Sequence, residues 1–454
     1  RKKENNSEDY LLAGRSVSAI PIAFSLFSTT LSGFMFLGYI GYVSQVGLTA
    51  IWFPICWMIG NYVTWAYMHH KVRALSIESN ALTYTKLAIP ESKSRFNLVL
   101  KLAALIIIGF LVIYAASQLQ IGAKSLNTLF GLTLNQGLIL GAIITLGYCY
   151  AGGLRASIWT DVLQTIIMIT AMISLCLACV NHLGGLTNLF NALNLSHPEL
   201  LNPFTHSFKF GLALFALSVF VNAIGILGQP HIMQRALAAA SDKDLHQARN
   251  IYLVCYFVFT CAAILVGLSA KVILAGKLVD TEMAVPMLAE LLLPKILVGF
   301  LLAGIFSATL STMDSQVISC SACVSEDLLD LKNPKSKYKI SKIATVVTII
   351  FTLLVAMQSN KGIFETTLIA WSALAAIFTP LIVLKCFNYK VHSLTALLML
   401  VSSLATVIYW RFFTDYSSSV YEALPGMLVA FTVCILDSLI RRSAIFSKVA
   451  VKLR

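Results

Sequence analysis

The chain has 454 residues, 58% of them hydrophobic and 12% charged, with a mean hydropathy of +0.82. Soluble proteins carry about 25% charged residues, so this composition excludes a water-soluble globular protein and places the chain in a lipid bilayer. The formal net charge of +13 would suit a nucleic-acid partner, but its distribution, described below, accounts for it without one.

The chain opens on the polar run Arg1-Lys2-Lys3-Glu4-Asn5-Asn6-Ser7-Glu8-Asp9, which has no resemblance to a cleavable signal peptide. About 20 apolar residues cross a bilayer as a helix. By that measure twelve segments are predicted, over 18–41, 48–68, 97–124, 133–151, 157–182, 208–232, 250–275, 297–322, 341–358, 363–386, 392–410 and 420–440. The intervening polar stretches are short. The longest, 70–95 and 183–207, are too small for separate domains, and the former has room for a short interfacial helix. Residues 1–454 are therefore read as a single transmembrane domain.

Orientation follows from Lys and Arg, which concentrate in cytoplasmic loops. With the N-terminus inside and the loops alternating, 26 of the 33 basic residues fall on the cytoplasmic side. The largest groups lie between Lys71 and Lys101, between Lys332 and Lys342, and in the tail from Arg441. Residue 1 and the C-terminus are then both cytoplasmic, in a plasma (inner) membrane.

The first segment holds Ser25-Leu26-Phe27-Ser28-Thr29-Thr30-Leu31-Ser32-Gly33, with polar residues and a glycine near mid-span. The sixth reads Asn222-Ala223-Ile224-Gly225-Ile226-Leu227-Gly228-Gln229-Pro230-His231, in which Pro230 removes a backbone donor. Either stretch suits close helix packing through small residues or a helix interrupted at a binding site. The two lie five segments apart and run in opposite directions. Paired interruptions of that kind mark the solute site of a transporter built from inverted repeats.

In the fifth segment Asp161 is an acid at membrane depth, which is costly and points to function; the alternative is an interfacial carboxylate paired with Arg155. Asp314 in the eighth segment has the same status. That segment also carries Ala308, Ser311 and Thr312 at i, i+3, i+4, on one helical face. Two hydroxyls and a carbonyl there, facing unwound carbonyls of another helix, make a five-oxygen set suited to Na⁺. The competing reading is that the hydroxyls bond back to their own preceding turn. Glu326 and Asp327 read as a solvated helix end, and His69 and His70 as surface residues. The ten cysteines, including the CxxC pairs Cys176/Cys179 and Cys320/Cys323, read as small membrane-buried side chains. No nucleotide-binding or hydrolase motif occurs, so an enzyme is not expected, and solute accumulation would draw on an ion gradient.

Four stretches in order resemble the sodium:solute symporter family, nearest its bacterial sodium/proline symporter branch. They are Asp9-Tyr10-Leu11-Leu12-Ala13-Gly14-Arg15-Ser16; Gly152-Gly153-Leu154 with Ile158-Trp159-Thr160-Asp161; Gly228-Gln229-Pro230-His231-Ile232; and Ser311-Thr312-Met313-Asp314-Ser315-Gln316 with Ser325-Glu326-Asp327-Leu328. The resemblance implies an all-α LeuT-type core of two inverted five-helix repeats, over 18–182 and 208–386, with additional helices over 392–440. The family's first helix is not represented. The resemblance further implies a sodium site at the carbonyls of Ser28, Leu31 and Ala308 and the hydroxyls of Ser311 and Thr312. It places Asp161 beside the sodium exit path, and a solute site at Tyr114, Asn222, Ile226 and Pro230. Ala308 lacks the serine hydroxyl that helps build a second sodium site in some members, which favours one Na⁺ per solute.

The expected function is sodium-coupled import of a small organic solute, proline or another amino acid, by alternating access. The sodium ion, the solute and the lipid bilayer are the partners, with no organic cofactor, nucleic acid or obligate protein partner. Asn222 and Ile226 stand where the proline symporters have Trp and Tyr, so another small carboxylate is an alternative solute. A solute-binding sensory module of a longer signalling protein is a second alternative.

Overall fold

The structure, a computed structural model, describes residues 11–90, 98–151, 154–204, 208–329, 331, 333–358 and 362–452. Residues 1–10, Gly152-Gly153 and the basic residues Lys93, Arg95, Lys332, Lys361 and Arg454, all used in the sequence reading, lie outside them. Among the described residues the secondary structure is helical, apart from one isolated bridge between Val17 and Ala239.

Each predicted segment has a helical counterpart. The first is split into α1 (Ala19–Leu31) and α2 (Gly38–Val46), followed by α3 (Trp52–Tyr67). The polar stretch that follows folds into α4 (His69–Glu78) and α5 (Tyr84–Ala88), so it does hold short helices. Then come α6 (Leu98–Phe130), α7 (Leu134–Ala151), α8 (Leu154–His182) and the short α9 (Leu186–Ser196). The sixth segment is split into α10 (Gly211–Ile224) and α11 (Pro230–Leu237). The rest comprises α12 (Asp242–Ile273), α13 (Ala284–Leu292), α14 (Lys295–Ala322), α15 (Pro334–Gln358), α16 (Ile363–Cys386), α17 (Ser393–Phe413) and α18 (Ala423–Lys452). Among the described residues, ten helical stretches are long and apolar enough to cross a membrane, and Ala19–Leu31 and Leu134–Gly147 are shorter apolar helices. The protein is an integral membrane protein.

Both breaks have local causes. Helix α1 stops because Ser32 takes φ 46°, and the Ser32 hydroxyl then accepts from the Phe34 amide at 3.2 Å, as an N-cap does for a new helical turn. Gly33 is required there by crowding: a Cβ would stand 2.7 Å from a methyl carbon of Thr309 and 2.9 Å from Ile121. In the sixth segment a 3-10 turn over Gly225–Gly228 leads to an extended Gln229, and Pro230 opens α11 where its missing N–H costs nothing. A Cβ on Gly228 would lie 2.5 Å from the Leu374 carbonyl oxygen, so α16 sits directly against this break.

Several surface assignments change. Glu326 and Asp327 are buried, Glu326 held by Lys337 at 2.7 Å and Lys86 at 3.4 Å, and Asp327 by the Thr83 hydroxyl at 2.8 Å. The reason is a π-helical turn, Cys323–Leu328, which continues α14 inward against α5 and α15. His69 is also buried, its ring stacked on Trp65 with centroids 4.6 Å apart. The ten cysteines are free thiols, and eight of them are buried.

Candidate functional site

The broken end of α1 meets α14 in the middle of the protein. A helix leaves its last carbonyls without intrahelical partners and carries the negative end of its dipole there. Leu31 is the last residue of α1, and Ser28 lies one turn before it. From α14, the Ser311 hydroxyl donates to Ser28 Oγ at 2.8 Å, and Thr29 Oγ1 lies 3.4 Å from it. Thr312 Oγ1 is 3.2 Å from the Thr29 carbonyl and 3.0 Å from the Ala308 carbonyl. All of these residues are buried. Ser28, Ala308, Ser311 and Thr312 thus meet at one junction, with Leu31 three residues beyond Ser28 at the end of α1. Spacing put Ala308, Ser311 and Thr312 on one face, and the family resemblance implied Ser28 and Leu31. Both readings of the hydroxyls hold in part: Thr312 bonds back to its own helix, while Ser311 reaches across to α1. The donors are neutral hard oxygens, a set that accommodates a small monovalent cation and offers no anion to hold a divalent one.

One turn toward the start of α1 and the end of α14 lies a buried charge network. Arg235 Nη2 is 3.3 Å from Asp161 Oδ2, and both side chains are fully inaccessible. Ser25 donates to the same carboxylate oxygen at 2.5 Å and accepts from Arg235 Nε at 2.9 Å. The guanidinium also donates to the Ser157 hydroxyl and the His231 carbonyl, at 2.9 and 2.8 Å, and to the Ser315 hydroxyl. This corrects two expectations. Arg235, counted among the cytoplasmic basic residues in the sequence reading, is buried instead, because α11 packs against α1 and α14. Asp161 does not pair with Arg155, whose guanidinium bonds instead to the Ala13 carbonyl at 2.5 Å and the Ser16 hydroxyl at 3.3 Å.

On the other side of Leu31 is a small cavity of about 30 Å³, walled by Thr30, Trp57, Tyr114, Thr367 and Trp371 among others. Its volume corresponds to about one water molecule, so the space is too small for an organic solute in this conformation. Of the predicted solute residues, Tyr114 lines the cavity. Asn222 and Ile226 stand behind Trp371: the Asn222 carbonyl accepts from the Trp371 indole at 2.9 Å, and its side-chain oxygen from Ser372 at 3.3 Å. Pro230 lies outside the lining too, next to His231, whose ring meets Tyr114 edge-on at 5.7 Å.

Beyond the cavity a wider opening of about 870 Å³ is bordered by Tyr42, Gln45, Lys124, Glu282, Phe364 and neighbours. Phe364 separates the two spaces, stacking on Tyr42 and on Phe34 with centroids 5.1 Å away in each case. Glu282 fixes this plug: one carboxylate oxygen accepts from the Phe364 amide at 3.1 Å and the other from Lys124 at 2.7 Å. Spacing within the chain signals none of these partners, since each contact joins helices far apart in sequence.

The family's sequence profile matches residues 10–403. The chain belongs to the sodium:solute symporter family. Among sodium:solute symporters and other curated proteins, it is 27% identical over 453 residues to the osmoregulated proline transporter OpuE of Bacillus subtilis (strain 168), covering 97% of this chain and 91% of that protein. It is 28% identical to the high-affinity proline transporter PutP of the same organism, over 94% of this chain and 91% of the relative. The sodium/proline symporter of Staphylococcus aureus is also 28% identical, over 95% of this chain and 87% of the relative. These relatives are transporters rather than enzymes. A solved Na⁺-coupled sialic acid symporter, substrate-bound and outward-open, matches 95% of this chain and 93% of its own with a TM-score of 0.77 at 17% identity. A nucleobase-cation-symport-1 family transporter matches with a TM-score of 0.61 at 12% identity, covering 94% of both chains. The fold is the all-helical LeuT-type inverted repeat with additional C-terminal helices, as the sequence motifs implied.

Proposed function

We propose that this symporter imports a small amino-acid-like solute together with Na⁺ across the plasma membrane, with proline the leading candidate and another small carboxylate the alternative. The observation that carries the reading is the junction of Ser28, Leu31, Ala308, Ser311 and Thr312, five neutral oxygen-bearing positions converging where α1 breaks. Sodium binds there, one ion per solute, and ties α1 to α14. Because the solute cavity shares Leu31 with that junction, each ligand raises the affinity for the other by the same factor.

Tyr114 takes part in holding the solute, with Asn222, Ile226 and Pro230 shaping the site from the second broken helix. Sodium leaves past Asp161 toward the cytoplasm. The repeats span about 18–182 and 208–386, with both termini inside, a reading supported by the concentration of basic residues on that side. The carboxylate of an amino acid has no basic side chain to meet in the cavity lining, so the backbone amides freed by the breaks serve it.

The test is uptake of labelled proline into proteoliposomes under an inward Na⁺ gradient. Uptake should require Na⁺. Equal uptake when K⁺ or choline replaces Na⁺ would sink the coupling, and sodium-driven uptake of another amino acid in place of proline would reassign the solute.

A further inference from the structure

The solute cavity has one wall that the sequence motifs did not single out. Trp57 from α3 and Trp371 from α16 meet with ring centroids 5.0 Å apart, and both line the cavity. Trp57 is supported from behind by Phe53, stacked at 5.2 Å with an interplanar angle of 18°. Trp371 is tied at both ends to the second helix break. Its indole N–H donates to the Asn222 carbonyl at 2.9 Å, and its own carbonyl accepts from Gln229 Nε2 at 2.9 Å. Gly225 and Gly228 allow α16 to lie this close, since a Cβ on either would collide with Ala375 or Leu374. An indole fixed in this way keeps its position as a solute enters.

The polar content of the cavity is correspondingly small. Its side-chain hydroxyls come from Thr30, Tyr114, Tyr256 and Thr367, and the lining holds no charged side chain. Thr367 is occupied with Ser117 at 2.9 Å. The Thr30 hydroxyl is buried, lines the cavity and has no hydrogen-bond partner.

We infer that Trp57 and Trp371 determine solute specificity: they select a zwitterion whose hydrocarbon body is compact enough to lie against two indole faces, while Thr30 meets its polar end. The two indoles thereby supply an aromatic wall from α3 and α16 beside the second break, where Asn222 and Ile226 carry no ring. Large side chains are excluded by size, and polyhydroxylated solutes are excluded because their hydroxyls would be buried without partners, which costs more than their contacts return. This inference rests on the amino-acid reading of the site above.

The experiment is a thermal-shift panel of L-proline, L-valine, L-leucine and L-phenylalanine, each in Na⁺ and in K⁺, on the full chain and on Trp57→Phe, Trp57→Ala and Trp371→Phe. In Na⁺ the unsubstituted chain should be stabilised by proline or valine and not by phenylalanine. Trp57→Ala should admit leucine and phenylalanine and weaken binding of the compact solute about tenfold. Trp371→Phe keeps a ring but loses the tie to Asn222, and should weaken the same binding while leaving maximal uptake near normal, a split that mere structural damage would not produce. Trp57→Phe preserves the stack on Phe53 and should retain the original preference. An unchanged panel in variants that still respond to Na⁺ and solute overturns the wall alone. A panel inert toward every form of the chain in Na⁺ overturns the amino-acid reading and the wall with it.

Discussion

Asp161 and Arg235 meet at 3.3 Å in a place neither shares with solvent, one helical turn from the oxygen cluster that joins α1 to α14. Their sequence separation is 74 residues, and they are brought together because α11 packs against α1 and α14. A buried pair of this kind adds little net stability, but removing one partner strands the other charge. Asp161→Asn or Arg235→Met should each lower stability by about 3 to 5 kcal/mol, measured as loss of melting temperature in detergent. The double substitution should recover most of that loss. Its sodium-driven uptake should stay low if Na⁺ leaves past Asp161 as proposed, because the carboxylate is gone.

The oxygen cluster makes a separate prediction. Ser311→Ala combined with Thr312→Ala removes two hydroxyls whose combined contribution is about 2 kcal/mol, so the sodium concentration for half-maximal uptake should rise about thirtyfold. Thr312→Ser keeps the oxygen and should stay within a few-fold of the starting value. If the double variant shows an unaltered sodium requirement, the cation lies elsewhere.

Two glycines give a matched comparison. Gly228 faces the Leu374 carbonyl, where a Cβ would stand 2.5 Å away, whereas Gly109, inside α6, has no atom near such a Cβ. Gly228→Ala should destabilise by about 1 to 3 kcal/mol through overpacking and slow transport by pushing α16 off the break. Gly109→Ala should be neutral or stabilising by up to about 1 kcal/mol, as expected for a helix interior. Melting curves of the two variants side by side check the pair.

A pH effect follows from His69, which opens helix α4 just beyond the span that ends at Tyr67. Burial pushes its imidazole down from 6.5 to about 4, so the folded form holds it neutral while the unfolded chain takes up a proton. The unfolded state binds more protons between those two values, and stability therefore falls as pH drops from about 6.5 and levels off below about 4. The full loss amounts to about 3 kcal/mol. His69→Phe preserves the stack on Trp65 and should flatten that part of the pH–stability curve. An equally steep curve in the variant would assign the effect to another group.

Much of the molecule was legible in order along the chain. Segment lengths, the two interruptions and the hydroxyl face of α14 all depend on residues within a few positions of one another, which share a helical turn. That is why the shared face of Ala308, Ser311 and Thr312 could be read from spacing, whereas Ser28 and Leu31 entered through the family resemblance. Glu326, Asp327, His69 and Arg235 were misplaced for the converse reason: each looks polar in its local window, and burial depends on what packs against it from elsewhere. Trp57, Trp371, Phe364 and Glu282 went unnoticed because a single aromatic or acidic residue in a local window carries no sign of the distant helix it will meet.

By itself, the sequence determined that the chain lies in a bilayer, that it is built of long apolar helices, and where two of those helices fail to continue. Those properties come from hydrophobic length and backbone hydrogen bonding, which act locally. Only the tertiary structure decided that Arg235 neutralises Asp161, that Glu282 holds Phe364 as a plug, and that two tryptophans wall the cavity beside Leu31. Those relationships join helices 74 or more residues apart. They depend on which faces of those helices meet, and hydrophobicity alone leaves that choice open in a lipid environment, where every apolar face is equally soluble.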